Sequence, residues 1–163
     1  MRDGQAMHNS SPAVIIGIGN DYRRDDGVGL HVARLVRDLA PGELKVIEGI
    51  ADGYALMESW SESSTVFVID CSVSGAEPGS IYHFDALNED IPVDLFNGFS
   101  THSINLVRAI ALAGALERLP GSLTVVGIEG KDCSCGEGLS PEVKRAARLA
   151  AEYIVGKLEK RTV

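Results

Sequence analysis

The sequence predicts a three-layer α/β domain, with helices on both faces of a mostly parallel sheet. Five short apolar, β-branched runs lie along the chain, at 13–19, 44–48, 65–70, 81–86 and 123–129. Between most of them, apolar residues recur every three or four positions, the period of a helix with one buried face. Strands alternating with such helices form a parallel sheet covered on both sides. The link from 65–70 to 81–86 is the exception. It is short for a parallel crossover, which needs about a dozen residues or more, so the fourth strand is free to run antiparallel.

Each element has its own local cause. AVIIGIG (13–19) is a buried strand ended by glycines, and a helix follows from Asp25. Val28, Val32, Leu35, Val36 and Leu39 fall on one face of that helix, and Pro41-Gly42 stops it. LKVIE (44–48) is the second strand and YALMESW (54–60) a short helix. TVFVID (65–70) is the clearest buried strand. SGAEPGS (74–80) is turn chemistry, and IYHFDA (81–86) alternates like a strand with one wetter face. Residues 87–100 are loop-like. An apolar helix is expected from Thr101 to about Leu119, ended by Pro120-Gly121. LTVVGIE (123–129) is the last strand. Ser140-Pro141-Glu142 then starts the final helix with a capping hydroxyl, a proline at the first position and an acid near the positive end of the dipole. Val143, Ala147, Ala150, Ile154 and Leu158 mark its buried stripe. Residues 1–12 form a polar lead-in expected to fray, and 13–163 a single domain.

Composition narrows the function classes. With 163 residues, 45% hydrophobic and 23% charged, the chain has the makeup of an ordinary globular domain. Fifteen basic against 23 acidic residues leave a net charge of −8, which argues against nucleic-acid and anionic-membrane partners. No apolar stretch approaches the ~20 residues of a membrane span, and the N-terminus lacks the apolar core of a secretory signal. Three cysteines, an odd number with Cys133 and Cys135 nearly adjacent, fit a reducing, cytoplasmic setting.

GIGNDYRRDDGVG (17–29) resembles a nucleotide loop only at first sight. Gly17 and Gly19 satisfy the first two places of a dinucleotide fingerprint, but the third falls on Tyr22. No Gly-Lys-Ser/Thr follows, so the phosphate loop of nucleotide hydrolases is excluded as well. Two adjacent acids, Asp25 and Asp26, would compete with the phosphate at the helix start. A cap accounts for one of them, with a gain of ~0.3–1 kcal/mol from the dipole for a first-turn acid. Capping leaves Gly27 and Gly29 unexplained, since each lowers helix propensity by about 1 kcal/mol relative to alanine. The sequence therefore favours Asp25 as cap and Asp26 as ligand.

Ligands of open α/β sheets gather at the carboxyl ends of the strands, and four polar residues fall there. Asp26 follows the first strand, Glu48 ends the second, Asp70 ends the third, and His102 sits where a loop enters the long apolar helix. Asp70 stands out, because VFVID runs from apparent core straight into a carboxylate, which is costly unless hydrogen-bonded, paired or metal-bound. Two carboxylates and an imidazole suit a borderline divalent ion such as nickel or zinc, with open positions left over. The alternatives are a hydrogen-bond acceptor for loop amides at Asp70, a helix-start residue at His102 and a solvated strand end at Glu48. Cys71, Cys133 and Cys135 with His102 form a rival zinc set, but Cys-x-Cys is not the usual zinc spacing; a core Cys71 and loop thiols without a role fit better. No Gly-x-Ser-x-Gly elbow marks a serine hydrolase.

With these residues identified, the chain resembles the hydrogenase maturation endopeptidases, which trim the C-terminal extension from the large-subunit precursor of nickel-iron hydrogenases. IIGIGNDYRRDDGVGLHVARLV is similar to the family's opening strand, G-x-G-N loop and acid-Gly-x-Gly helix start. VFVIDCSVSGAEPGSIY resembles its strand ending in Asp with a Pro-Gly turn, STHSINLVRAIALA its histidine segment, and VVGIEGKDCSCGEGLSPEVKRAA its last strand, loop and closing helix. The resemblance spans residues 14–155. It implies a three-layer α/β/α sandwich with a mixed, mostly parallel five-stranded sheet. It places the metal contacts on Asp26, Asp70 and His102, with Asp26 and Asp70 as the catalytic carboxylates of an aspartyl-type peptidase. It implies nickel already carried by the bound precursor, so that the site is empty in the free protein. The family's Asp-Gly-Gly-Thr segment reads EGIADGYALM here, with Glu48 and Gly49 in the substrate-recognition positions and Ile50-Ala51 departing from it. The expected partner is a hydrogenase large-subunit precursor in the cytoplasm. A non-catalytic metal-sensing maturation factor and a metal-dependent hydrolase of other substrates are the alternatives.

Overall fold

The computed structural model describes residues 11–50, 52–60, 63, 65–96 and 106–161. Among these residues five strands, β1 (Ala13–Gly17), β2 (Leu44–Glu48), β3 (Thr65–Ser72), β4 (Ile81–Asp85) and β5 (Ser122–Glu129), form one sheet in the order β2-β1-β3-β5-β4. Every pairing is parallel except β4 with β5, which is antiparallel. The short 73–80 link thus carries the antiparallel strand that its length allows.

Among the described residues four α-helices cover the sheet: α1 (Val28–Leu39), α2 (Gly53–Trp60), α3 (Leu106–Ala115) and α4 (Pro141–Glu159). The strand pleat divides the core. Val14, Ile16, Val66, Val68, Leu123 and Val125 pack with α2 and α3, around Leu56, Trp60, Leu106 and Ala113. Ile15, Phe67, Ile69, Val126 and Ile128 point the other way, against Val28, Val32 and Val36 of α1 and Val143, Ala147, Ala150 and Ile154 of α4. β3 is buried along its whole length, as expected of a central strand covered on both faces.

Chain order around β1 positions the site. From β1 the chain crosses through α1 to β2 on one side, then through α2 to β3 on the other. Strand order therefore reverses between β1 and β3, the crevice where open α/β sheets hold ligands. The ladder opens there too. Gly17 pairs with Ile69 as the last rung of β1 with β3, and the Ile18 N–H reaches the Ile69 carbonyl at 2.9 Å. β3 runs on through Asp70 beside β5 alone, with Asp70 opposite Gly127.

Close approach, rather than a phosphate, explains the glycines. A Cβ on Gly29 would overlap the carbonyl oxygens of Ile18 and Ile69, so α1 starts pressed against the ends of both strands. Gly19 adopts φ +141°, where side chains are strained, and a Cβ there would strike the Asp26 carbonyl. Gly29→Ala is expected to destabilise the protein by about 1–3 kcal/mol through overpacking. Urea denaturation reads this directly, and an unchanged midpoint would contradict the close packing.

Several boundaries differ from the sequence expectation. β1 ends at Gly17, and β3 extends two residues beyond Asp70. The segment from Asp25 is not yet α-helix: Arg24–Gly27 form a 3-10 turn before α1. Leu39 on the expected stripe is 45% exposed. Residues 87–100 contain a second 3-10 turn, Val93–Phe96. α3 ends at Ala115, not near Leu119, because Arg118 N–H bonds the Ala113 carbonyl at 2.8 Å and Glu117 N–H the Gly114 carbonyl at 3.1 Å. This is a Schellman closure with Glu117 at φ 55° in the place where glycine usually signals it.

Candidate active site

Four carboxylates converge on the carboxyl edge of β1, β3 and β5, and hydrogen-bond saturation sorts them. Asp25, in the 3-10 turn after β1, is fully buried. It does not cap its own helix. Its Oδ2 accepts the backbone N–H groups of Lys131 and Asp132, each at 2.9 Å, and the Ser140 hydroxyl at 2.7 Å, while its Oδ1 accepts the Ser140 N–H at 2.7 Å. Asp25 thereby clamps the β5–α4 loop onto the loop after β1. The same bonds explain why Ser140 does not cap α4 with its side chain: its hydroxyl is drawn to the buried carboxylate.

Glu129, at the end of β5, is equally saturated. It accepts Ser72 Oγ at 2.9 Å, Ser74 N–H at 2.8 Å, Ser74 Oγ at 2.9 Å and Gly75 N–H at 2.9 Å, and so fastens the turn that leaves β3. Sequence reasoning missed it, although the signal was present. VVGIE runs from core into an acid just as VFVID does.

Asp26 and Asp70 are different. Asp70 is buried, and its Oδ1 accepts the Cys71 N–H at 2.8 Å. Burial pushes its carboxyl up to about 8, the Cys71 N–H partly opposes the rise, and the Asp26 charge adds to it. Asp26 Oδ2 is buried without a hydrogen-bond partner. Burial raises the Asp26 carboxyl as well, partly offset by Arg23 and the Asn20 backbone N–H. Two neighbouring acids that repel each other once both are ionised, one of them with a buried, unpartnered oxygen, fit a cation. The surrounding donors saturate Asp25 and Glu129 and leave this pair short.

Glu48 stands at the end of edge strand β2, and Arg34 occupies its carboxylate. The guanidinium bonds Glu48 Oε2 at 2.6 Å and Asp21 Oδ2 at 2.7 Å, and these two acids raise the pKa of Arg34. Gly49 follows with φ +71° and open space around it. His102 lies outside the described residues, and so does any ligand set that includes it. Cys71 and Cys133 are brought to 4.0 Å, sulfur to sulfur, whereas Cys135 is exposed. Among the described residues no group of three or more His, Cys, Asp and Glu is arranged to hold a metal.

Open cavities flank the acid-bearing turn. One, of about 430 Å3, is lined by Arg23, Val73 and residues 130–134. Another, of about 460 Å3, has Asp21, Tyr22, Arg24, Gly27 and His31 among its walls.

A family model described as hydrogenase maturation protease matches residues 30–157. The chain belongs to the hydrogenase maturation protease family. It is a peptidase by that membership. Among its relatives, the hydrogenase 2 maturation protease of Escherichia coli is 22% identical over 148 residues, covering 89% of each chain. The fold is that of the hydrogenase maturating endopeptidase HybD from E. coli, with TM-score 0.77, 21% identity and coverage of 93% of this chain and 94% of that one. The NiFe hydrogenase maturation protease HybD of Thermococcus kodakarensis is similar at TM-score 0.65 and 25% identity, over 91% of this chain and 99% of that one. Among the described residues of this family member, no helix is long and apolar enough to cross a membrane.

Proposed function

We propose that this chain is a cytoplasmic endopeptidase that removes the C-terminal extension from the nickel-loaded large-subunit precursor of a nickel-iron hydrogenase. One observation carries the reading: at the β1–β3 switch point, Asp26 and Asp70 lack the donors that saturate their neighbours Asp25 and Glu129. A cation arriving with the substrate would relieve both the repulsion and the unpartnered oxygen, so recognition depends on the metal being present in the precursor. Asp26 and Asp70 would grip nickel as part of the substrate, with His102 completing the set on the strength of the family resemblance. That grip fixes the scissile peptide beside the two carboxylates, where water adds to its carbonyl and the C-terminal fragment leaves as an amine. Glu48 and Gly49, on the edge of the sheet, would contact the precursor and select it.

Purified protein incubated with nickel-loaded precursor is expected to shorten the precursor by its extension in intact-mass measurement, and to leave nickel-free precursor uncut. Binding without any mass loss, equal cutting of the nickel-free form, or cleavage of unrelated peptides would each overturn the proposal.

A further inference from the structure

Cys71 and Cys133 play no part in the site as described, yet the fold brings them together across 62 positions of sequence. Cys71 follows Asp70 in β3 and is 5% exposed. Cys133 lies on the β5–α4 loop, partly exposed, in the wall of the 430 Å3 cavity. Their sulfurs are 4.0 Å apart. Gly130 leaves them room: a Cβ there would sit 2.8 Å from Cys71 Sγ and 3.3 Å from Cys133 Sγ.

We propose that Cys71 and Cys133 are an oxidation-sensitive dithiol whose disulfide displaces the turn bearing Asp26. The oxidant is hydrogen peroxide, which reaches Cys133 through the cavity. The Cys133 sulfur attacks one peroxide oxygen, the O–O bond breaks, and the thiol proton leaves with the second oxygen as water. The resulting sulfenic acid faces Cys71. The Cys71 sulfur attacks Cys133 Sγ, the S–O bond breaks, and the hydroxyl departs with the Cys71 proton as a second water. Two thiols are oxidised to one disulfide, and one peroxide is reduced to two waters. Burial of Cys71 is no obstacle, because its partner is already in van der Waals reach. Intracellular disulfides in most organisms are of this transient, sensing kind.

The consequence follows from how the loops are stitched. A disulfide needs sulfurs at ~2.05 Å, so the pair must close by about 2 Å. Cys71 is held in the ladder opposite Ile128, so the closure falls on the Cys133 side chain and on the loop that carries it. Its carbonyl accepts Arg23 Nε–H at 3.2 Å. The Asp132 carbonyl accepts Asp25 N–H at 3.1 Å, and Gly136 exchanges backbone bonds with Tyr22 and Arg24 at 2.9 and 3.0 Å. Displacing the loop therefore pulls on residues 22–25, directly before Asp26. The effect on trimming rests on the proposed function, whereas the cross-link and the displacement do not.

The test treats the reduced full-length protein with stoichiometric hydrogen peroxide, followed by alkylation, peptide mapping and amide hydrogen exchange. The expected result is loss of two hydrogens from the intact mass, a Cys71–Cys133 cross-linked peptide and altered exchange at 22–26, all reversed by dithiothreitol. Cys133→Ser and, separately, Cys71→Ala should lose all three, and Cys135→Ser should keep them. A Cys133–Cys135 link, a link between two copies, over-oxidation of Cys133 without a link, or a link that leaves 22–26 unchanged would overturn the proposal. With precursor, oxidation should lower trimming on the order of 100-fold, while Cys133→Ser trims and ignores peroxide. A reduced protein that never trims sinks the proposed function, and the mapping and exchange still decide the switch.

Discussion

Asp70→Asn should sharply lower precursor trimming and at the same time make the protein more stable at alkaline pH. The side chain keeps its shape, and its Oδ1 can still accept the Cys71 N–H. What disappears is a carboxylate that cannot ionise at its ordinary value of about 4, because burial pushes it up to about 8. The sign follows from proton counting. Between about pH 4 and about pH 8 the folded protein holds a proton on Asp70 that the unfolded chain has released, so this group makes stability fall as pH rises. Its contribution is intact below the unfolded value and lost above the folded one, with a limiting slope of about 1.4 kcal/mol per pH unit. The asparagine variant is free of that slope. Denaturation midpoints of the two proteins should converge near about pH 4 and diverge toward about pH 9, with the variant the more stable. Parallel curves would mean that Asp70 ionises normally. Trimming of nickel-loaded precursor should fall by about 100-fold or more, since even residues that merely orient a metal ligand are worth 10–100-fold. Retained trimming by a folded variant would remove Asp70 from the site.

The second large effect is expected at Asp25, and its direction is the opposite. Asp25→Ala leaves two backbone N–H groups of the β5–α4 loop, the Ser140 N–H and the Ser140 hydroxyl without their acceptor. A buried donor left unmet is worth ~1–3 kcal/mol, and the donors here are not independent, so a loss of about 3 kcal/mol or more is expected. Asp25→Asn should recover only part of the loss, because its oxygen can take the three donors on Oδ2 while its amide would face the Ser140 N–H. Urea denaturation measures the loss, and amide exchange should rise at Lys131, Asp132 and Ser140 before the rest of the protein. A loss under about 1 kcal/mol, with those amides still protected, would mean that water substitutes for the carboxylate. Neighbouring acids in one turn thus serve different ends. Asp25 is saturated and structural, and Asp26 is unsaturated and available.

Much of the architecture was legible because it is locally encoded. The β-branched runs at 13–17, 44–48, 65–72 and 122–129 form the parallel strands, and the turn-rich link before Ile81 makes β4 antiparallel. The misreadings share a cause. α3 stops early through a Schellman closure on Glu117, where no glycine announces it. Ser140 has the chemistry of a cap, but a carboxylate 115 positions away takes its hydroxyl. Glu48 is the exposed strand end expected of it, but the sequence does not announce its pairing with Arg34 from the neighbouring helix.

The same division runs through the site. From the sequence alone came the sheet, its four parallel strands, and the principle that acids after apolar strands gather at one edge, because side-chain periodicity and chain connectivity are properties of neighbouring residues. Only the tertiary structure decided which acids are satisfied. The donors that saturate Asp25 come from residues 131–140, and those that saturate Glu129 come from 72–75, segments joined only by folding. Desolvation is likewise a property of the packed edge, so the raised carboxyl of Asp70, the bare oxygen of Asp26 and the meeting of Cys71 with Cys133 exist only once β1, β3 and β5 lie side by side.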